Sequence, residues 1–290
     1  MVLVELLKAA WGNNMKYETI KVELDNVVQA RLSLYLQEDY PETYKDRKRP
    51  MILICPGGGY EHVSVREGEP IAFQFMTAGC HAAVLWYDIA KQGVEHPQEL
   101  KELAWAMAYI REHADEYAID KNKIVVAGFS AGGHLAAMLG CFWDKEWLEK
   151  EMGMTKTCYQ PNGMILAYPV ITSGEFAHRG SIVNLMGNKA TDELEKELSL
   201  EKQVTSNVPP VFMWHTVEDE TVPLENTLLF ASALRKAGVN FEYHVFPHGG
   251  HGYALATKET AMMEQREIEP QCAQWIELCK NWLKYNFVTL

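Results

Sequence analysis

Six short apolar segments, separated by amphipathic stretches, constrain the fold of this chain more than any other feature. The segments are PMILIC (50–55), HAAVLWY (81–87), KIVVAG (123–128), GMILAY (163–168), PVFMWH (210–215) and NFEYHVF (240–246). Short and mostly continuous apolar runs are typical of strands that helices cover on both faces. Between them, PQELKELAWAMAYIREHADEYA (97–118) repeats apolar residues at helical spacing. This alternation predicts an α/β fold with a mostly parallel central sheet in a three-layer sandwich.

The two ends of the chain carry different patterns. KYETIKVEL (16–24) and QARLSLYL (29–36) alternate apolar and polar residues, which predicts an antiparallel N-terminal hairpin with one exposed face. A C-terminal helix that packs on the sheet is predicted by one apolar stripe, which comprises Cys272, Trp275, Ile276, Cys279, Trp282 and Leu283. No repeat or linker divides residues 1–290, so we expect a single domain. Segment 171–207 is longer than an ordinary connection and is expected to form a partial lid insertion.

Charge and cysteine spacing exclude several function classes. Lys and Arg total 27 against 39 Asp and Glu, a net charge of −12, so we expect neither a nucleic-acid nor a membrane partner. The N-terminal MVLVELLKAAWGNN lacks the pattern of a secretory signal. The six cysteines show no CxxC spacing, which argues against a zinc ribbon and favours a reducing compartment. Together these features predict a cytoplasmic protein.

The stretch VVAGFSAGGHLA (125–136) places Ser130 between a predicted strand and a predicted helix. Gly128 and Gly132 flank it at two residues on either side, the arrangement of a tight turn that lifts the serine Oγ clear of a sheet. The following helix N-terminus favours developing negative charge. Gly-x-Ser-x-Gly also occurs by chance in loops, but the strand–turn–helix context favours a nucleophile.

A nucleophilic serine needs a general base and an orienting carboxylate, and we expect both after later strands. Two segments fit, TVEDETVP (216–223) and PHGGHGY (247–253). The acid candidates are Glu218, Asp219 and Glu220, and the base candidates are His244, His248 and His251. Position alone does not choose among them. The three histidines could instead hold a metal ion, although the helical HExxH framework is missing.

Consecutive glycines in CPGGGYEH (55–62) follow the first buried run. Such a loop leaves backbone N–H groups free, as a pocket for a tetrahedral oxyanion requires. A phosphate-binding loop is the rival interpretation, but the GK[ST] ending is missing.

Four motifs in this order make the chain similar to the α/β-hydrolase superfamily. They are PGGGY (56–60), YAIDKNKIVVAGFSAGGHLAA (117–137), HTVEDETVP (215–223) and PHGGHGY (247–253). Within the superfamily the chain resembles the esterase/lipase branch that includes acetyl xylan esterases and related carbohydrate esterases. The resemblance implies three catalytic residues: Ser130 as nucleophile, Asp219 as acid and His251 as general base.

The same resemblance implies an oxyanion hole built from the backbone N–H groups of Ala131 and of Gly58 or Gly59. Pro56 stands where hormone-sensitive-lipase-like esterases usually carry His, so the loop is expected to be anchored differently.

The function that the resemblance implies is serine-dependent hydrolysis of short-chain acyl esters, most specifically deacetylation of carbohydrates such as xylo-oligosaccharides. Such a reaction needs water and neither a cofactor nor a metal. Tyr60 and Tyr168 are candidates for contact with the substrate. The alternatives are a serine peptidase or acyltransferase on the same fold, or a catalytically silent ligand-binding protein. Residues 1–14 are candidates for a cover over the site or for a homo-oligomer contact.

Overall fold

The computed structural model describes residues 15–38, 47–263 and 267–287. Residues 1–14, and with them the expected cover or oligomer contact, lie outside the described residues. The strands are β1 Met15–Lys21, β2 Arg31–Gln37, β3 Arg49–Cys55, β4 His81–Trp86, β5 Ile119–Phe129, β6 Gly163–Ala167, β7 Val211–Thr216 and β8 Phe241–Phe246. The helices are α1 Glu69–Thr77, α2 Gln98–Glu112, α3 Ala131–Phe142, α4 Glu146–Met152, α5 Arg179–Met186, α6 Asp192–Glu197, α7 Glu225–Ala237 and α8 Trp275–Asn286. Short 3-10 turns include Val65–Glu67 and Leu200–Lys202.

All eight strands form one sheet in the order β1-β2-β4-β3-β5-β6-β7-β8. Neighbours from β4 to β8 in this order pair in parallel. β2 pairs antiparallel with both β1 and β4. The predicted sheet, mostly parallel with an antiparallel N-terminal hairpin, is therefore confirmed.

Helices cover the sheet on both sides because side chains alternate along the buried strands. Along β3, Met51 and Leu53 join one apolar cluster while Ile52 and Ile54 join the other. The first cluster includes the buried faces of α2, α3 and α7, and the second includes those of α1 and α8. Burying each such side chain stabilises the fold by about 1.5–3 kcal/mol. These two clusters make the three-layer sandwich that the apolar runs predict.

Two strands differ in burial from the sequence prediction, which gave β2 one exposed face and β8 a cover of helices on both faces. β2 is buried over most of its length because it lies between β1 and β4, with Leu34 on one face and Tyr35 on the other. β8 is only half-buried because it is the last strand of the sheet. The C-terminal helix is as predicted, since Trp275, Cys279 and Leu283 all lie in the second cluster. Within the described ranges, every helix is too short or too polar to cross a membrane.

One buried carboxylate in α2 is unusual because no other described residue donates a hydrogen bond to it. Glu99 is 0% exposed, and neither of its carboxylate oxygens has a hydrogen-bond partner in another described residue. Burial raises the pKa of Glu99 to about 8, and the nearby Glu102 carboxyl adds to the effect. The folded protein therefore holds this proton at pH values where the unfolded chain has released it.

Because the folded and unfolded states bind different numbers of protons, the free energy of unfolding depends on pH. As pH rises from about 4.5 to 8, the unfolded chain loses the Glu99 proton and the folded chain keeps it, so the free energy of unfolding falls. We expect Glu99→Gln to raise the free energy of unfolding by roughly 2–4 kcal/mol at pH 8.5 and to change it little at pH 4.5. Urea unfolding at both pH values measures this. Glu112→Gln, at an exposed position of the same helix, is the control. Equal effects of Glu99→Gln at both pH values would contradict the argument.

Candidate active site

Ser130 lies in the turn between β5 and α3 with a strained backbone. Its φ is +53° and its ψ is −120°, a conformation that costs a residue with a side chain on the order of 1–3 kcal/mol. Hydrogen bonds hold it on both sides. The Ser130 N–H donates to Ala167 O at 3.0 Å, and its carbonyl accepts from the N–H groups of His134 and Val170. The turn is therefore fixed by β6 as well as by its own helix.

The two glycines beside Ser130 allow this close packing. A Cβ on Gly128 would collide with the carbonyl of Gly132, and a Cβ on Gly132 would collide with the carbonyl of Cys55. Both obstacles are backbone atoms, so no side-chain movement relieves them. The need for small residues at both positions, predicted from the sequence, has this steric cause.

One hydrogen-bonded chain joins the serine to an imidazole and a carboxylate. Ser130 Oγ lies 2.6 Å from His251 Nε2, and His251 Nδ1 lies 2.7 Å from Asp219 Oδ2. Asp219 follows β7 and His251 follows β8. Parallel strands present their carboxyl ends at one edge of the sheet, which brings these distant segments together. Only Nδ1 faces a carboxylate, so it carries the proton, and Nε2 is free to accept from Ser130.

Asp219 is 4% exposed and accepts four hydrogen bonds. The N–H groups of Thr221 and Val222 donate to Oδ1, and the imidazoles of His215 and His251 donate to Oδ2. His215 Nε2 also faces Val222 O at 2.9 Å, so it must carry a proton. Burial opposes ionisation, but the bonds from His215 and His251 outweigh it and hold the pKa of Asp219 below its usual range.

The other candidate acids and histidines are not part of the hydrogen-bonded chain from Ser130 to Asp219. Glu218 is exposed and accepts from His248 and from the N–H of Gly249, while Glu220 is exposed. His244 pairs with Glu242 on β8. Three histidines thus face three different carboxylates. In the described part of the chain, no cluster of three or more His, Cys, Asp or Glu residues is arranged to hold a metal ion.

The glycine loop after β3 curls beside the serine. Gly58, with φ +130°, receives the N–H groups of Glu61 and His62 on its carbonyl. Other groups anchor the loop from outside: Tyr87 Oη donates to Pro56 O at 2.7 Å, and the Gly57 N–H donates to Glu67 Oε2 at 2.8 Å. With Pro56 in place of His, carbonyl and amide contacts thus hold the loop.

Three backbone N–H groups near Ser130 remain available. They belong to Gly58, Gly59 and Ala131, and none of them donates to an acceptor within residues 15–38, 47–263 or 267–287. Ala131 N–H also stands at the N-terminus of α3, where the helix dipole favours negative charge. These are the donors that the resemblance implies.

The two tyrosines expected to contact substrate are instead buried. Tyr60 is 0% exposed and donates its hydroxyl to His134 Nδ1, and Tyr168 is 1% exposed and donates to Glu67. Their rings offer no surface on which a sugar could stack. The reason is that the Tyr60 ring packs edge-on against the rings of Tyr87 and His134, while the Tyr168 ring packs against that of His251.

Segment 171–207 is anchored to the site at several points. Asn184 Nδ2 donates to Gly59 O at 2.8 Å, and His134 Nε2 donates to Leu198 O at 2.9 Å. Burial lowers the pKa of His134 to about 4, so this link stays neutral. At the start of α5, His178 is half-buried, and a Cβ built on Gly59 would lie 4.0 Å from its Cε1.

Glu67 and His178 were not predicted from the sequence. Glu67 lies in VREGEP, which resembles a charged surface turn, and no periodicity marks it as buried. His178 lies in EFAHRG, inside a segment that carries no motif. The sequence contained no signal for either contact.

The arrangement supports one type of chemistry. An imidazole that accepts from a serine hydroxyl, and is oriented by an ionised carboxylate, can activate the serine for attack on a carbonyl carbon. N–H groups without acceptors beside it can stabilise the oxyanion that forms.

Comparison with known proteins identifies related chains. The family model described as BD-FAE matches residues 36–234, a range that contains Ser130 and Asp219. The endo-1,4-beta-xylanase B of Butyrivibrio fibrisolvens is 41% identical over 230 residues, which are 79% of this chain and 35% of that protein. The acetylxylan esterase of Xylanibacter ruminicola is 28% identical over 212 residues, 71% of this chain and 41% of that protein. The chain thus spans less than half the length of these two curated relatives.

A solved structure is similar over nearly the whole chain. The acetyl ester-xyloside bifunctional hydrolase of Caldicellulosiruptor lactoaceticus superposes with a TM-score of 0.82 at 33% identity. The match covers 97% of this chain and 100% of that one.

Asp219 differs from its acidic neighbours in a way that a reactivity assay can detect. With Asp219→Asn the amide cannot hold His251 in the required tautomer, so we expect Ser130 to react with an organophosphonate about 10⁴-fold more slowly. Glu218→Gln and Glu220→Gln, one residue to either side, should change the rate less than about threefold. The rate of adduct formation, followed by intact mass, measures this. A slow Glu220→Gln variant beside a fast Asp219→Asn variant would reassign the acid.

Proposed function

Because this chain belongs to the BD-FAE family and has an α/β-hydrolase fold, we propose that it is a serine carboxylic-ester hydrolase that removes short acyl groups from carbohydrates. The observation that carries the proposal is the hydrogen-bonded chain from Ser130 through His251 to Asp219. It lies beside three N–H groups that have no acceptor in the described part of the chain.

In the proposed mechanism His251 Nε2 takes the proton of Ser130 as Oγ attacks the ester carbonyl carbon. Asp219 stabilises the imidazolium, and its four hydrogen bonds keep it ionised through the step. The imidazolium then donates its proton to the leaving alcohol, which produces an acyl-enzyme. In the second half, His251 takes a proton from water as the water oxygen attacks the acyl carbon. The bond from that carbon to Ser130 Oγ then breaks, the imidazolium returns its proton to Oγ, and the carboxylic acid leaves.

The oxyanion would be stabilised by the N–H of Ala131 together with that of Gly58 or Gly59. Each such donor contributes about 3 kcal/mol to transition-state stabilisation, so two donors account for a large part of the rate enhancement. Water is the only other reactant, and the proposal involves neither a metal nor a cofactor.

For the substrate we propose acetyl esters on xylo-oligosaccharides. The similarity to an acetylxylan esterase and to an acetyl ester-xyloside hydrolase supports this choice. All six cysteines are free thiols, which supports action in a reducing cytoplasm on oligosaccharides that have been imported.

Segment 171–207 would form a fixed wall of the substrate pocket, because Asn184 ties it to the glycine loop. His178 would contact the sugar. Its Nδ1 accepts from the Ser181 N–H, so the proton is on Nε2 and available to a hydroxyl. Burial, together with the charge of His251, lowers the pKa of His178 and keeps it a neutral donor.

The first test compares wild type with Ser130→Ala on p-nitrophenyl acetate, butyrate and octanoate. We expect wild type to prefer the acetate and Ser130→Ala to lose at least about 10³-fold in kcat, because the nucleophile is gone. Ser206→Ala, at an exposed serine, is the control. Turnover that survives in Ser130→Ala would disprove the assignment.

A second test separates sugar recognition from chemistry. We expect His178→Ala to lower kcat/KM for acetylated xylo-oligosaccharides about 3- to 10-fold, the value of one hydrogen bond, and to change p-nitrophenyl acetate hydrolysis less than about twofold. His113→Ala, at a half-buried histidine after α2, is the control. Equal losses on both substrates would show that His178 does not recognise the sugar.

A further inference from the structure

Glu67 is a buried carboxylate whose oxygens accept hydrogen bonds from the glycine loop and from Tyr168, directly after β6. It lies in the 3-10 turn Val65–Glu67 and is 3% exposed. Its Oε2 accepts from the Gly57 N–H at 2.8 Å, and its Oε1 accepts from Tyr168 Oη at 2.7 Å. Gly57 lies one residue before the proposed oxyanion donors. A Cβ at Gly57 would be 2.8 Å from Glu67 Oε2 and 2.9 Å from Ser130 Cβ, so this carboxylate and the nucleophile enclose the loop.

Tyr168 extends the contact to the segment after β8 that carries His251, here called the histidine loop (residues 247–260). Its Oη accepts from the Ala254 N–H at 2.9 Å, three residues after His251. Its ring packs edge-on against the His251 imidazole, with centroids 5.2 Å apart. Arg66, next to Glu67, donates to the carbonyls of Gly252 and Thr260 in the same loop. Residues 66–67 thus bind both the glycine loop and the histidine loop.

The hydrogen bonds at Glu67 and Tyr168 have only one possible set of donors and acceptors. The Tyr168 hydroxyl has one proton, and it goes to Glu67 because Ala254 supplies another donor. Burial, with the charge of Glu67 second, raises the pKa of Tyr168 well above its ordinary value, so the proton stays. Glu67 must offer two acceptor oxygens to two donors, which glutamine cannot do with one oxygen and one NH₂ group.

We propose that Glu67 and Tyr168 are a positioning pair that fixes the glycine loop and the catalytic histidine, His251, relative to each other. Neither side chain takes part in bond making or proton transfer, since the pair acts through the loops that it holds, and the inference rests on the proposed function. It acts on the transition state, because a loop donor displaced by about 1 Å costs up to about 100-fold in rate while ground-state binding is little affected.

The test measures kcat and KM on p-nitrophenyl acetate for Glu67→Gln, Tyr168→Phe and the double variant. We expect each single variant to lower kcat about 10- to 100-fold with KM within about twofold of wild type. Since both substitutions break one linkage, the double variant should be no slower than the slower single variant. A purely structural role would lower thermal stability and leave kcat of the folded fraction unchanged.

Matched controls exist for both residues. Glu69→Gln removes an exposed carboxylate two residues away, and Tyr159→Phe removes a buried hydroxyl that has no partner in the described residues. Both should keep wild-type kcat. Tyr168→Phe keeps the ring and so tests the inference even if Glu67→Gln does not fold.

The outcomes separate the inference from the function. A wild type that neither hydrolyses esters nor reacts with an organophosphonate would disprove the proposed function. An active wild type whose single variants keep wild-type kcat, or whose kcat losses multiply in the double variant, would overturn the positioning pair alone.

Discussion

The turn at Ser130 is the constraint on which the rest of the site depends. Its left-handed backbone is held only because β6 receives the Ser130 N–H and the chain at Val170 donates to the Ser130 carbonyl. The buried parallel strands supply both partners. The large apolar core that those strands form is therefore what allows a serine to hold a conformation that an isolated turn would avoid.

Much of this architecture could be predicted from the sequence because it rests on repeated signals. The apolar runs specify the strands, and the glycines beside Ser130 specify a turn that backbone atoms would otherwise block. Residue spacing in the sequence, by contrast, does not choose Asp219 over Glu218 and Glu220. All three are carboxylates on one loop, and only the fold shows that Asp219, and neither glutamate, accepts the hydrogen bond from His251 Nδ1. In the sequence, it is the resemblance of the HTVEDETVP motif, and not residue spacing, that implies Asp219 as the acid.

The sequence was least informative where a polar residue is buried without a periodic pattern. The sequence makes Tyr60 and Tyr168 candidates for contact with the substrate, yet both rings are buried and their hydroxyls bond within the protein. Glu67 resembled a surface charge for the same reason. Burial of a single polar group depends on which distant segments converge on it, and composition near the residue does not contain that information.

Three buried carboxylates differ both in the number of hydrogen bonds that they accept and in the role that we propose for each. Asp219 receives four hydrogen bonds and stays ionised, as an imidazolium partner must. Glu67 receives two, from Gly57 and Tyr168, and links two loops. Glu99 receives none from the other described residues, and its raised pKa leaves it a neutral acid over most of the pH range. Because each donor is a backbone or side-chain group fixed by the sheet edge, the fold distributes charge within the core and places it beside the proposed reaction centre.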